Sequence, residues 1–246
     1  MRQRTWEGLR RDEMRAAGTM PKSDSWRSRY RPAQPGAAGD PLVEGIPDTW
    51  CVAALDEVAE VVDPNPSHRY PTYKDGVVPL LSTREFRGRD GWDTDRPDRP
   101  VVPPDVHSEQ DQRCRFSLAD IIMARKGRLG LPRHPPRIPA YTFSHTLFVI
   151  KPFAAVDSDY LLWFLRLDKV VQWLRREMND NTGVPTLGKA TTERLPIPIP
   201  PLAEQKRIVA KVDHLMSLLD DLEAKLRKQE ETATRLAESL AAAVAA

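Results

Sequence analysis

The chain has 246 residues, 40% hydrophobic and 29% charged, with a formal net charge of +2. That length suffices for one sizeable core plus an extension, and so even a charge balance gives no general case for nucleic acid. Cys51 and Cys114 lie far apart without a C-x-x-C partner, which argues against a disulfide framework and fits a reducing cytoplasm. No apolar run approaches the roughly 20 residues that a membrane span requires, and the basic N-terminus lacks the apolar stretch of a secretory signal. The expected setting is cytoplasmic, away from membranes.

Taken in chain order, Met1 to Arg31 carries nine Lys/Arg against four Asp/Glu. It is a local basic block in a nearly neutral chain, whether or not it is more than a solvated tail. "RPAQPGAAGDP" (Arg31 to Pro41) has nothing to bury and reads as a linker, so residues 1–41 form an arm. Short apolar clusters follow. "GVVPLLS", "LADIIMARKG" and "HTLFVIKP" have the length and β-branched content of buried strands, while "VAALDEVAEVV" fits a helix or a strand. "DSDYLLWFLRLDKVVQWLRREMND" reads as one helix capped by Asp157 or Ser158, with apolar residues from Leu161 to Trp173 around most of its circumference. Residues 42–195 are therefore expected to form one α+β domain of mixed short strands and helices.

The segment from Leu195 to Val212, "LPIPIPPLAEQKRIVAKV", changes character abruptly. Proline fixes φ and pushes the preceding residue toward extended conformations, so "PIPIPP" is expected to be a stiff strut with a helix starting near Leu202. Along that helix Ile208, Val212, Leu215, Leu219, Leu222, Leu226, Gln229, Ala233, Leu236 and Leu240 are spaced alternately four and three apart. This is a heptad seam, and a helix of roughly 65 Å with so narrow an apolar stripe calls for another helix. Residues 196–246 thus read as a proline joint and a long C-terminal coiled-coil helix for dimerisation or spacing. Gln229, polar in an apolar row, either sets the register or marks a contact with a partner protein.

Catalytic signatures are missing from the sequence. It has no glycine-rich nucleotide fingerprint and no G-x-x-x-x-G-K-[ST] loop. His68, His107, His134, His145 and His214 share no metal-ligand spacing with the cysteines. The expectation is a chain without an active site, metal or cofactor of its own. Three basic or polar stretches are candidates for DNA contact, each also readable as an ordinary solvated turn. "STREFRGRDGW" holds Arg84, Arg87 and Arg89. "ARKGRLGLPRH" holds Arg125, Lys126, Arg128 and Arg133 around Gly127 and Gly130, whose missing side chains would let backbone approach a phosphate. "NDNTGVPTLGKATTER" offers Asn179, Asn181, Thr182, Lys189, Thr191 and Thr192 as small polar groups in a loop.

Several of these segments together resemble type I restriction–modification specificity subunits. The family's run P-L-P-P-L-x-E-Q-x-R-I-V is matched at Pro200, Pro201, Leu202, Glu204, Gln205, Arg207, Ile208 and Val209, with Ile199 at its leucine. "GIPDTWCVAALDEVAEVV" resembles the entry into a target-recognition domain, "LADIIMARKGRLG" a mid-domain hairpin and "DYLLWFLRL" a late helix. The arm resembles the connector that follows the first long helix of two-domain members, so the chain reads as a C-terminal half. The resemblance implies recognition of one part of a bipartite double-stranded DNA target. It further implies docking on a methyltransferase subunit, a restriction subunit that joins through that complex, and pairing of the long helix with a second specificity half. An interaction protein that pairs through its helix without reading DNA is the alternative.

Overall fold

Three of the apolar runs do form strands, and they organise the first of two compact units, which extends to Gln205; the second runs from Lys206. The computed structural model describes residues 42–65, 76–127, 129–178 and 186–245. The arm therefore lies outside the described residues, as do Arg128, Asn179, Asn181 and Thr182.

The main sheet has four strands in the order β2-β10-β7-β8, all antiparallel. They are β2 (Ala59–Val62), β7 (Ile121–Ala124), β8 (Gly130–Arg133) and β10 (Leu147–Pro152). Ile121 to Ala124 and Leu147 to Ile150 are buried without alternation, the signature of strands covered on both faces. β7 and β8 are the expected hairpin, with a bulge between the pairs Ile122–Arg133 and Ala124–Gly130. A second sheet orders β6 (Val101–Val102), β3 (Val78–Leu81) and β9 (Thr142–Phe143), with β3 and β9 parallel. The core between them gathers Leu81, Phe86, Ile122, Phe143, Leu147 and Val149, and Trp92, Phe116 and Tyr141 pack around its rim. A short ribbon of β4 (Phe86–Arg87) and β5 (Gly91–Trp92) is pinned to this core by its aromatic ends, with Phe86 and Trp92 edge to face at 5.0 Å.

Elsewhere the local structure departs from expectation for identifiable reasons. "VAALDEVAEVV" is neither one helix nor one strand: a single turn, α1 (Leu55–Val58), separates β1 (Cys51–Ala54) from β2. Helix α2 (Pro104–Cys114) has almost no apolar stripe to announce it; it is held by buried Gln110. The Gln110 amide donates to the carbonyls of Pro64 and Phe143 and accepts from the Phe143 N–H at 2.8 Å. The expected single helix is two, α3 (Ser158–Leu165) and α4 (Asp168–Arg176). Asp157 caps the first, accepting from the N–H groups of Asp159 and Tyr160 at 3.1 Å. α3 buries Tyr160, Leu161, Leu162, Phe164 and Leu165, whereas α4 buries only Val170 and Leu174. One straight rod cannot serve both burial patterns, and the chain turns at extended Leu167.

The proline run is a strand rather than a free strut. β11 (Pro196–Ile199) pairs antiparallel with β1, aligning Cys51 with Ile199 and Ala54 with Pro196. Strand N–H groups alternate in direction, so a strand with one neighbour needs only every second donor. Alternating Ile with Pro puts the residues without an N–H at positions where none is required. Pro196, Ile197 and Pro198 are buried, and the Tyr160 hydroxyl donates to the Pro198 carbonyl at 2.6 Å. Helix α5 (Lys189–Glu193) precedes this strand and α6 (Leu202–Ala245) follows it. The first turn of α6 is fastened by Gln205, which is fully buried. Its amide oxygen accepts from Asp157 N–H at 2.8 Å, and its amide nitrogen donates to the carbonyls of Pro200 at 2.9 Å and Ala155 at 3.3 Å.

In the second unit, α6 carries the heptad row as expected. Ile208 and Val212 are half-buried. Leu215, Leu219, Leu222, Leu226 and Leu236 are between 45% and 60% exposed, and Gln229 and Ala233 are exposed beside them. The Leu240 side chain lies outside the described residues.

Candidate nucleic-acid interface

The first basic stretch is a capped turn that leads into the β4–β5 ribbon. Ser82 Oγ accepts from Arg84 N–H, and the buried Glu85 carboxylate accepts from the Ser82 N–H and hydroxyl at 2.7 and 2.8 Å. Arg96 pairs with Glu85 at 3.1 Å, so the carboxylate is charge-matched where it is buried. This fixes the entry to the ribbon, on which residues 87–91 are all exposed. Arg84 is exposed too. Arg87 donates to the carbonyls of Arg84 and Phe86 and pairs with Asp93 at 2.5 Å. Arg89 pairs with Asp90 at 3.1 Å and lies 5.8 Å from the Trp163 ring. Asp90 pairs in addition with Arg166. Partial burial pushes the Asp90 carboxyl upward, but the hydrogen bonds and charges of Arg166 and Arg89 together outweigh it and hold the group below its ordinary range.

In the second stretch two of the candidate cations lie inside the fold. Arg133 is fully buried: its guanidinium lies 3.8 Å from the Phe86 ring and donates to the carbonyls of Arg87, Gly88 and Gly91. Arg125 is also buried, paired with Asp63 at 2.5 Å and stacked 4.3 Å from Phe148. Both guanidiniums face inward and hold other segments, so neither reaches a phosphate from where it sits. Gly130 has a packing role too. Its φ is +76°, and a Cβ there would come within 3.3 Å of Val171, so its smallness serves packing against α4. Gly127, at φ +69°, has open space where a side chain would be. Lys126 is half-buried beside it.

The third stretch is partly helical rather than a loop. Lys189 is exposed and pairs with Glu193 at 3.5 Å, one turn on. Thr191 is half-buried. Thr192 is buried and its hydroxyl donates to the Gly188 carbonyl, a helix-internal role.

The fold ties all three stretches to one hairpin. Thr186 bridges Lys126, and Leu187 N–H donates to the Arg125 carbonyl at 2.9 Å, which joins the third stretch to the β7–β8 turn. Arg133, at the far end of β8, grips the tip of the first stretch. Arg166 adds a second tie: its guanidinium donates to the Pro132 carbonyl at 3.0 Å and the Arg89 carbonyl at 3.4 Å, and it lies 4.7 Å from the Trp163 ring. Sequence reasoning passed over Asp63, Asp90, Trp163 and Arg166. The one available signal was Arg166 itself, a lone cation at the end of an otherwise apolar helix. Among the described residues, no three His, Cys, Asp or Glu side chains converge as a metal site would need, and no helix is long and apolar enough to cross a membrane.

Comparison with known proteins gives this arrangement its context. Over 189 residues, 72% of the chain, the sequence is 26% identical to the EcoAI type I restriction enzyme specificity subunit of Escherichia coli, and it covers 30% of that protein. Over 196 residues it is 23% identical to the EcoKI specificity subunit of Escherichia coli strain K12, covering 74% of the chain and 39% of the relative. The chain thus spans less than two fifths of either curated relative. A solved structure from work on complex assembly and conformational transition of the type I R-M system shares the fold. Its TM-score is 0.57 at 18% identity, over 94% of this chain and 50% of that one. The family model described as type I restriction modification DNA specificity domain matches residues 47–231, from just before β1 through most of α6, and on that match the chain belongs to this family.

Proposed function

We propose that this chain is a DNA sequence-specificity component of a type I restriction–modification system. Residues 42–195, closed by the proline strand, recognise one half of a bipartite double-stranded target, and the long helix holds partner chains. The observation that carries this reading is the family match, which spans residues 47–231, from just before β1 through most of the helix. The exposed leucine row supports the second half of the proposal, because a heptad seam on a helix of 44 residues is stabilised by a facing helix. Two copies paired antiparallel would present identical recognition units and read a palindromic bipartite target. The same helix also offers a docking surface for the methyltransferase subunit, on which the restriction subunit assembles. With Arg125 and Arg133 withdrawn, the proposed DNA-contact set is Arg84, Arg87, Arg89, Lys126, Arg128, Asn181, Thr182, Lys189 and Thr191.

A second reading draws on the electrostatics of that set. Arg87, Arg89 and Lys189 each already face a carboxylate, which suits an interaction protein that engages partners through its helix without reading sequence. One experiment separates the two. The chain, purified with its methyltransferase partner, is offered a random-sequence duplex library at a salt concentration that weakens phosphate contacts. Specificity predicts an enriched motif, whereas an interaction protein leaves the library unenriched while still forming the protein complex.

A further inference from the structure

We propose that the Gly88–Asp90 turn on the β4–β5 ribbon reads base edges in the major groove, and that Arg133 and Arg166 are its positioning residues. This rests on the reading of the chain as a DNA-specificity component. The geometry is unusual for a surface turn. Residues 87–91 are all exposed, yet each is held from beneath. Arg133 donates to the carbonyls of Arg87, Gly88 and Gly91, while Arg166 donates to the Arg89 carbonyl and pairs with Asp90. A ribbon of two-residue strands is not stable by itself, and placing a guanidinium in a protein interior is costly unless its donors are satisfied. Here a fully buried arginine is satisfied by the backbone of an exposed loop. That arrangement holds the exposed loop in one geometry from beneath, as a preorganised recognition element demands.

The shape and chemistry of the tip fit a groove. Gly88 adopts φ +49°, and a Cβ on Gly91 would fall 2.9 Å from the Arg87 carbonyl oxygen, so both glycines keep the ribbon narrow. The major groove of B-DNA, about 12 Å wide, admits a two-stranded ribbon. At its end sit one donor fork and one acceptor, Arg89 and Asp90. A guanidinium matches the O6 and N7 edge of guanine, and a carboxylate accepts from the N4 amine of cytosine. In the free protein the two side chains face each other at 3.1 Å, and Arg166 keeps Asp90 anchored when Arg89 turns to a base. The low-lying Asp90 carboxyl stays an acceptor at neutral pH.

The test uses the full chain purified with its methyltransferase partner and a randomised duplex library at about 0.15 M salt, read for the unaltered protein and for Arg89→Ala, Asp90→Asn, Arg133→Lys and Arg166→Lys. The unaltered chain is expected to enrich a motif containing guanine and cytosine. Arg89→Ala should lose about tenfold of the guanine preference. Asp90→Asn should shift its position from cytosine toward adenine, because an amide pairs with the adenine edge. Arg133→Lys and Arg166→Lys keep the charge but lose the multidentate grip, and should flatten both preferences about tenfold while the salt dependence of binding is unchanged. A lysine variant that melts earlier but keeps the parental motif would reduce that arginine to a fold-holding role. Should either fail to fold, the exposed Arg89 and Asp90 variants still decide the matter. An unchanged motif in both of them overturns the inference and leaves the specificity function standing. No motif from the unaltered chain overturns that function as well.

Discussion

Replacing Gln205 with leucine should destabilise the strand-rich unit by about 2–3 kcal/mol, a figure that follows from its three hydrogen bonds. The residue is fully buried, and leucine fills nearly the same volume, so packing is largely conserved. What changes is polar satisfaction. Asp157 N–H loses its acceptor, and the Pro200 and Ala155 carbonyls lose their donor. An orphaned buried group costs about 1–3 kcal/mol. Asp157 and Ala155 are only half-buried and regain water, so most of the loss comes from the buried Pro200 carbonyl, with a fraction from each of the other two, about 2–3 kcal/mol in all. For a unit of this size the loss corresponds to a fall in Tm of roughly 5–10 °C. The assay is thermal and urea denaturation at fixed protein concentration, since any self-association would otherwise shift the midpoint. Lys206→Leu, one residue along and exposed, serves as the control. If Gln205→Leu unfolds within about 0.5 kcal/mol of the parent, a surface-substitution scale, the fastening role assigned to this amide is wrong.

Further outcomes follow from other contacts. Leu219→Glu or Leu222→Glu places a carboxylate in the heptad row and should abolish helix-mediated association; unchanged sedimentation of either would contradict the pairing proposal. Asp63→Ala leaves the buried Arg125 guanidinium without this carboxylate and should cost about 2–4 kcal/mol. Adding Arg125→Met should recover most of that, because the methionine can pack on Phe148 in its place; a double variant as unstable as Asp63→Ala alone would argue against a charge-based origin. Alkaline titration should reveal buried phenols. Burial, then the charges of Asp120 and Asp111, push Tyr141 up to about 12, and burial foremost also raises Tyr160. The folded protein therefore keeps phenolic protons that the unfolded chain has lost, and stability falls as pH rises from about 10 toward 12. Phenolate absorbance and denaturation followed together from pH 9 to 12 would test this, and a stability that stays level above pH 10 would refute it.

How much of this was legible in the sequence depended on whether burial left a periodic trace. Strands covered on both faces, such as Ile121–Ala124 and Leu147–Ile150, leave continuous apolar runs, and these were readable. So was the heptad row of α6, whose spacing persists over many turns. Helix α2 left little such trace because, apart from Val106 and Cys114, what holds it is an amide, Gln110. The turn at Leu167 was hidden for the opposite reason. Apolar residues continue across it, and only the change from an apolar cylinder to a two-residue stripe distinguishes α3 from α4.

Cations were the least legible residues. Arg84, Arg87, Arg89, Arg125 and Arg133 look alike in the chain, yet three are exposed and two are interior struts. What separates them is local context. Arg125 and Arg133 lie at the ends of the strands of the β7–β8 hairpin, where the long aliphatic stem can lie in the core while the planar head reaches polar groups beyond it. Arg125 finds Asp63 and Arg133 finds the carbonyls of the β4–β5 ribbon, each across an aromatic ring. A basic residue next to a buried strand is thus ambiguous until a facing aromatic is known, and Phe86 and Phe148 come from distant parts of the chain. The same logic applies to "PIPIPP". Its prolines signal extended backbone correctly, but whether that backbone stands alone or pairs depends on β1, some 145 residues earlier, and on the Tyr160 hydroxyl that meets Pro198. Gln205 then closes the segment by bonding the Pro200 carbonyl and the Asp157 amide together. In this chain a run of prolines followed by Glu-Gln is the sequence of a strand that must be fastened at its exit, and Gln205 does the fastening.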